Sequence, residues 1–365
     1  MGKSKGYVKV FCRNFFYNLK MKILFICLVF LSGCSQVKYL SNQAPEQFKL
    51  MFGGRSNNEV LKDENVSKEN KRKIVLIEKY KKFFDETLGV SSEGIYEKTI
   101  FLDRKAVSYL TIRSKINHIK SLKECFPLFG CFPYLGFFDF EEAKEFTRSV
   151  EKNISTYIRP VLAYSSLGKY NDRIISTFFS FNDRRLANLV FHELFHRVFF
   201  IKDDVTSNEN LASLFASEME RIYFKDSPAQ EKKMAKRHLL GRLKRQFLVN
   251  IVDSLNSDRE FEKVKSVEQS DVYIQNKIKS SLNELKANCR AMKIDLNSCK
   301  VDPNKWNSAR LSEFRTYSES REFFKSLFLK RNESLKDFLE FLNNEMRLFE
   351  KSGDKKSFVS FLKQR

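Results

Sequence analysis

The chain has 365 residues, of which 42% are hydrophobic and 30% charged, and this balance excludes a disordered protein. Its length is enough for a full core in one large domain or two modest ones. The formal charge is +21, and residues 1–33 hold six basic groups and no acid, so the remainder carries 60 basic and 45 acidic groups. Such a surface favours anionic surroundings such as lipid headgroups, or is simply a solvated Lys-rich surface without a partner.

The N-terminal segment has the pattern of a secretion signal. Basic residues precede Ile23–Leu31, an apolar run of nine residues that is too short to span a bilayer. The run leads into Leu31-Ser32-Gly33-Cys34, which resembles the bacterial lipobox, and by that resemblance Cys34 becomes the lipidated N-terminus after cleavage. Translation starts at either Met1 or Met21. We therefore predict a signal peptide over 1–33, a lipidated tether over 34–50 and one domain over 51–365.

Export has consequences for location and for the cysteines. Ser35 carries no Asp-type retention signal, so an outer-membrane location facing the periplasm fits, and nucleic acid is a poor partner for an exported protein. Four cysteines remain in the mature domain, and the short spacings permit the disulfides Cys125–Cys131 and Cys289–Cys299 in an oxidising compartment.

The mature chain reads as an α+β protein. Polar, Gly-containing residues 53–73 predict a loop, and apolar residues at helical spacing predict a helix over Ile74–Leu88. Partial alternation over Tyr96–Ile112, Val161–Ser165 and Ile174–Phe181 predicts a small β-sheet. After Asn182 helical patterns dominate, and the part from about residue 230 is expected to be helical. The 37 Phe are expected to fill an aromatic core.

The most informative motif is His192-Glu193-Leu194-Phe195-His196, which spells H-E-x-x-H and contains two of the four histidines. A helix from about Arg184 to Ile201, capped by Asn182 or Asp183, places both imidazoles on one face. That helix is apolar almost all round, and buried polar groups cost roughly 1–3 kcal/mol each unless they are satisfied. One bound zinc ion satisfies them together, with Glu193 as general base.

A catalytic zinc site needs a third protein ligand. Glu209 stands at the start of the next predicted helix. H-E-x-x-H followed by Asn208-Glu209-x-x-Ala212 resembles the gluzincin arrangement, and by that resemblance Glu209 is the favoured candidate, with Glu218 as runner-up. Thr206-Ser207-Asn208-Glu209 also spells a capping box, in which Glu209 would only hold the helix end. Asp203 or Asp204 could orient a ligand histidine.

The motifs together resemble one family. They are similar to those of predicted bacterial lipoprotein aminopeptidases among the zincin-like metallopeptidases. The matching blocks are the lipobox, Cys125-Phe126-Pro127 with Gly130-Cys131, Tyr134-x-Gly136-x-Phe138, Ala163–Gly168, the H-E-x-x-H, Asn208-Glu209-x-x-Ala212 and the block from Asn307 to Tyr317. The resemblance covers roughly residues 43–340. It implies a predominantly helical zincin-like fold of the gluzincin type, with one zinc per chain on His192, His196 and Glu209.

The implied activity is hydrolysis of a peptide or protein substrate by zinc-activated water, with Glu193 transferring the proton. Tyr164 and Tyr317 are candidates for stabilising the oxyanion or contacting substrate. Two alternatives stay open. One is an envelope scaffold or binding lipoprotein with a structural zinc, and the other is a metalloendopeptidase of narrow specificity. The residue preference and the oligomeric state do not follow from the sequence.

Overall fold

The computed structural model describes residues 38–126, 130–163, 171–318, 321–352 and 357–365. The predicted leader, Cys34 and Tyr164 therefore lie outside the described residues. Helices dominate and short strands accompany them, so the predicted α+β class is confirmed. By its internal contacts the chain divides into two units, residues 1–52 and Gly53–Arg365. Among the described helices, none combines the length and the apolar character needed to cross a membrane.

The first described residues are more helical than expected. Residues 38–52 form helix α1, which covers most of the segment predicted as a tether and continues two residues beyond it. The loop predicted over residues 53–73 is wrong, because it contains strand β1 (Arg55–Ser56), helix α2 (Asn57–Lys62) and the start of helix α3 (Lys68–Leu88). Ser67 caps α3 by accepting a hydrogen bond from Asn70 N, and Gly89 ends it in the left-handed conformation at φ 66°. The polar composition of this segment thus reflects helix caps and an exposed helix face.

Short strands form three sheets within the described residues. After β1 they are β2 (Lys98–Ile100), β3 (Ser108–Lys115), β4 (His118–Ser121), β5 (Glu124–Phe126), β6 (Gly130–Phe132), β7 (Leu135–Phe137), β8 (Ile154–Val161) and β9 (Ile174–Ile175). The largest sheet has β3 at its centre, paired antiparallel with β8 along its whole length and with β4 and β7 at its two ends. β2 pairs antiparallel with β1 and parallel with β9, while β5 and β6 form a hairpin.

All three predicted strand segments differ from the structure. Tyr96–Ile112 is divided into β2 and β3, and β3 continues to Lys115. The strand expected to start at Val161 ends there instead, because pairing with β3 selects the eight residues Ile154–Val161. In the segment predicted as a strand over Ile174–Phe181, only the first two residues are extended, and Ser176–Ser180 form a 3₁₀ helix. Long-range pairing, which local alternation does not encode, selects the strand boundaries.

Beyond α3 the helices are α4 (Phe140–Ser149), α5 (Asp183–Val198), α6 (Val205–Phe224), α7 (Pro228–Asn256), α8 (Arg259–Glu262), α9 (Val267–Ala291), α10 (Ser308–Ser318), α11 (Arg321–Arg331), α12 (Leu335–Ser352) and α13 (Phe358–Leu362). The described chain after Asn182 contains no strand, as predicted. Apolar faces at helical spacing explain this, because each helix buries one side.

The core around α5 is aromatic. On one side of α5, the ring of Phe195 stacks on Phe215 of α6 at 4.4 Å, and Phe215 in turn lies 5.8 Å from Phe338 of α12. On another side, Phe191 contacts Tyr80 of α3 edge-on at 5.9 Å. All five rings are essentially inaccessible to solvent. The expected use of phenylalanine as core filling therefore holds around α5, which packs against α3 and α6, while α12 packs against α6.

Two disulfides lie in the described chain. Cys125 bonds to Cys131 across the β5–β6 hairpin, and Cys289 at the end of α9 bonds to Cys299 in the following loop. These are the two pairs that the short spacings permitted. All four cysteines of the mature domain are therefore held in local cross-links.

An ionic lock joins α3 to the first turn of α5. The guanidinium of Arg72 donates two hydrogen bonds to the carboxylate of Asp183 at 2.8 and 2.7 Å. Lys73, almost fully buried, donates to the same carboxylate and to the carbonyl of Phe181, both at 2.7 Å. These hydrogen bonds hold the pKa of Asp183 well below its usual range. The start of α5, and hence the direction of the motif helix, is thereby tied to α3.

Replacing Asp183 with Asn should lower the free energy of unfolding at pH 7 by about 1–2 kcal/mol, since a buried ammonium loses its counter-charge while the carboxylate itself is partly exposed. Because the pKa is depressed in the folded protein, the advantage of wild type should persist above about pH 5 and shrink as the pH falls below about 4. Urea unfolding over this pH range measures both effects.

Glu69 provides the matched control, because it bonds the same Arg72 but is 56% exposed. Glu69→Gln should change the unfolding free energy much less than Asp183→Asn does, because solvent screens an exposed ion pair. Equal losses in the two variants would show that Asp183 has no special role.

Candidate metal centre

The two histidines of the motif lie one turn apart on α5. Asn182 caps this helix by accepting from Arg185 N at 2.9 Å, and the helix ends at Val198 rather than Ile201. The ring planes of His192 and His196 are nearly perpendicular, and their Nε2 atoms are 3.2 Å apart. Both imidazoles therefore present a nitrogen to the same point, as the spacing predicted.

Glu209 completes the cluster from α6. Its Oε2 lies 3.3 Å from Nε2 of His192 and its Oε1 lies 3.7 Å from Nε2 of His196. A cation bonded tetrahedrally at about 2.0–2.2 Å needs ligand atoms roughly 3.3–3.5 Å apart, so the three observed distances fit one ion. The three side chains form a group that could hold a metal, with all ligand atoms within 4.8 Å of one another.

The capping-box interpretation of Glu209 is wrong. Helix α6 begins at Val205, and its cap is Asp204, which accepts from the backbone and hydroxyl of Ser207 at 2.9 and 2.8 Å. Glu209 therefore lies in the second turn, where its side chain can face α5 instead of the helix end. Asp204 also accepts from Phe358 N at 3.0 Å. It is thus committed to α6 and α13 and does not orient a ligand histidine.

The runner-up ligand Glu218 does not reach the cluster. It lies more than two turns farther along α6 and accepts a hydrogen bond from Arg221 at 3.0 Å. The buried Nδ1 of His196 has no hydrogen-bond partner in the described part of the chain. Packing within α5, rather than an acceptor on Nδ1, therefore orients this ring.

A buried asparagine, which the sequence argument used only as part of a motif, fixes the turn between α5 and α6. The side-chain amide of Asn208 accepts from Ile201 N at 2.8 Å and donates to Ile201 O at 2.7 Å. Asp203 lies in the same turn with a left-handed backbone at φ 60°. Since Asn208 directly precedes Glu209, this clamp sets where the third ligand stands relative to α5.

The far end of the helix pair is also pinned. Arg184 of α5 donates to Glu220 of α6 at 2.5 Å and to Asp226 just beyond it at 2.6 and 2.7 Å. Asn188, one turn later, donates to the other oxygen of Glu220 at 2.9 Å. The two helices are thus cross-linked at both ends of their contact, with the ligand cluster near the Asn208 end.

The electrostatics of the ligands suit a cation. Burial lowers the pKa of His196 to about 4, so this ring is neutral at pH 7. Burial acts to raise the pKa of Glu209, but the hydrogen bond from His192 and the nearby positive charges, including Arg159, hold it below its usual value. Burial likewise acts to lower the pKa of His192, but its bond to Glu209 and the negative charges of Glu193 and Glu209 together outweigh this and keep the pKa above normal. A metal would displace the proton shared in that pair.

Glu193 occupies the position after the first histidine. Burial raises its pKa to about 7, and the negative charges of Glu209 and Asp172 act in the same direction. Asp172 is a buried residue before β9, and its carbonyl accepts from Tyr96 N at 2.8 Å. Its carboxylate belongs to the surroundings of Glu193, and nothing in the local pattern of the sequence singled it out.

A second unpredicted group reaches the cluster from the sheet. Arg159 on β8 forms an ion pair with Glu313 on α10 at 2.5 Å, and its positive charge adds to those that lower the pKa of Glu209. Tyr317 belongs to α10 one turn after Glu313, but its side chain, like all of Tyr164, lies outside the described residues. The proposed roles of both tyrosines stay predictions.

Comparison with known proteins identifies one family. The sequence model of the family described as "Putative aminopeptidase" matches residues 38–357, most of the chain. No curated protein and no solved structure matches.

Substituting Glu209 with Gln tests its role as a ligand. The neutral amide should weaken divalent-metal binding on the order of 100-fold or more, because an anionic ligand is lost. Calorimetric titration with metal measures the affinity.

Asp204→Ala is the control for helix capping. It should lower the free energy of unfolding by about 1 kcal/mol while metal still binds at one ion per chain. If Glu209→Gln binds metal like wild type, Glu209 is not a ligand.

Proposed function

The chain belongs to the family described as "Putative aminopeptidase", and from this premise we propose that it is a zinc-dependent peptidase anchored to the bacterial cell envelope. The observation that carries the proposal is the convergence of His192, His196 and Glu209 with Glu193 beside them in one buried site. Two imidazole nitrogens and one carboxylate oxygen are a ligand set of catalytic zinc sites.

The number of ligands favours catalysis over a structural role. Structural zinc sites are closed by four protein ligands, whereas catalytic sites leave a position for water or substrate. Three candidate ligands converge among the described residues. The side chains of His192 and Glu209 keep 19% and 32% of their surface exposed, so one side of the cluster faces solvent. Bound zinc would supply a Lewis acid and a water of lowered pKa.

Glu193 would carry the proton in this reaction. Its pKa of about 7 allows the carboxylate to accept a proton at neutral pH and to release it again. During hydrolysis the attacking water bonds through its oxygen to the peptide carbonyl carbon and gives one proton to Glu193. The C–N bond then breaks, and the leaving amine nitrogen receives that proton. The carboxylate is thereby restored for the next cycle.

The proposed location rests on the N-terminal sequence. Cys34 of the lipobox-like segment would carry the lipid, with the domain facing the periplasm from the outer membrane. Disulfides persist in oxidising compartments, so the Cys125–Cys131 and Cys289–Cys299 bonds support export.

Glu193→Gln separates an enzyme from a scaffold with a structural metal. The variant should bind one zinc per chain like wild type, and its kcat on a cleaved peptide should fall at least about 100-fold because the proton acceptor is gone. Peptide libraries identify the substrate, and elemental analysis measures the zinc.

Glu218→Gln is the matched control on α6, since Glu218 pairs with Arg221 outside the cluster and its loss should leave kcat unchanged. If zinc is stoichiometric but wild type and Glu193→Gln are equally inert on broad libraries, the scaffold alternative is correct. If no zinc binds, the proposed site is wrong.

The aminopeptidase assignment makes a further prediction about substrate ends. Peptides with a free α-amine should be cleaved at least about tenfold faster than the same peptides with an acetylated amine, because an exopeptidase contacts the charged terminus. Mass spectrometry of the products locates the cleaved bond. Equal rates with cuts inside the peptide would identify a metalloendopeptidase instead.

A further inference from the structure

Helix α1, residues 38–52, carries a row of apolar side chains at every fourth position. The row consists of Leu40, Ala44, Phe48 and Phe52. Phe48 and Phe52 are 59% and 57% exposed, and Leu40 is 43% exposed. Because a helix turns 100° per residue, the row covers an arc of about 120° on one face. The helix thus exposes a continuous apolar face with two aromatic rings, which differs from the single apolar side chains that are common on protein surfaces.

The two rings act as one apolar surface. The ring of Phe48 stacks on that of Phe52 with centroids 5.8 Å apart and planes inclined by 25°. Lys49 lies about 60° from Phe52 around the helix and is 48% exposed, and Lys38 is exposed at the helix start. An aromatic face bordered by lysines is the pattern of helices that lie in the interface of a bilayer with anionic lipids.

The position of the helix in the chain indicates what covers this face. Leu40 is only six residues after Cys34, and six residues span at most about 20 Å. A lipid on Cys34 would therefore hold the row beside the membrane surface. A second copy of the chain is a poorer fit, because stable protein interfaces use roughly 20–30 residues a side and the row offers four.

We propose that α1 lies flat on the membrane, with Leu40, Ala44, Phe48 and Phe52 inserted between the lipid headgroups. The proposal rests on the lipid anchor proposed at Cys34. The lipidated cysteine would anchor the chain, and the apolar face of α1 would add a second membrane contact. The anchor holds Cys34 at the membrane, while the apolar face of α1 sets the direction in which the chain continues from there.

Two labelled variants of the processed chain, which starts at the lipidated Cys34, test the proposal. Ala44→Cys places a thiol within the row, and Asn42→Cys places one about 160° away on the same helix. The four cysteines of the mature domain are disulfide-bonded, so an environment-sensitive fluorophore labels the introduced thiol. The labelled proteins are mixed with vesicles of phosphatidylethanolamine and phosphatidylglycerol that contain lipids with a nitroxide on the acyl chain.

The label of Ala44→Cys should shift its emission to the blue and be quenched at least about twofold more than the label of Asn42→Cys, because only the former faces the acyl region. Equal quenching would overturn the proposal, since the anchor alone brings both sites near the bilayer. A difference in emission between the two labels that appears without vesicles and grows with protein concentration would also overturn it, because such a difference indicates self-association.

A second pair of variants isolates the aromatic side chains. Phe48→Ser with Phe52→Ser, in the Ala44→Cys background, should abolish the blue shift. Val272→Ser with Leu329→Ser removes apolar side chains that are 56% and 63% exposed elsewhere and should leave it intact. A blue shift that survives the loss of both phenylalanines would overturn the proposal. The N-terminal mass reports lipidation and peptide hydrolysis reports activity, so failure of either is distinguishable from failure of the helix to insert.

Discussion

The structure of the site depends on the contact between α5 and α6. Two ligands stand on one helix and the third on the other, and a metal–ligand bond tolerates errors of only a few tenths of an ångström. The pair is fixed at one end by the Asn208 clamp on Ile201 and at the other by Arg184 and Glu220. Neither cross-link touches the metal cluster. Both limit how far one helix can slide along the other. The turn before Glu209 therefore determines where this residue stands relative to α5.

Burial gives this helix pair both stability and chemistry. The rings that pack α5 against α3 and α6, and α6 against α12, exclude water from the motif helix, and the same exclusion shifts the pKa of its polar groups. It keeps the imidazole of His196 neutral, so that its nitrogen can offer an electron pair to a cation, and it raises the pKa of Glu193 to about 7. Arg159 adds a positive charge near Glu209 from β8, so that the third ligand remains anionic in a buried place. A less aromatic core would admit water and weaken both effects.

The sequence predicted the features that depend on neighbouring residues and missed those that depend on contacts between distant residues. H-E-x-x-H and its capping Asn182 lie on one helix, and their relation follows from helix geometry alone, whereas Glu209 on the next helix was indicated by the resemblance to a known arrangement. The loop prediction for residues 53–73 failed because polar composition does not distinguish a loop from capped, exposed helices. Strand β8 and the shortened strand β9 depend on partners far away in the chain. The sequence left two roles open for Glu209, a helix cap or a ligand, because it did not determine where α6 begins. The helix begins before Glu209, and this decides against the cap.

The groups around the motif helix that come from distant segments are the candidates for contacting a substrate. Asp172 precedes β9, Arg159 comes from β8, and Glu313 joins Arg159 to α10, which also contains Tyr317. These groups are separated by up to about 150 residues in sequence, and the pairing of β3 with β8 and the packing of α10 bring them together. If Glu193 and Glu209 serve the proton and the metal as proposed, a carboxylate that recognises a substrate amine has to come from these distant segments.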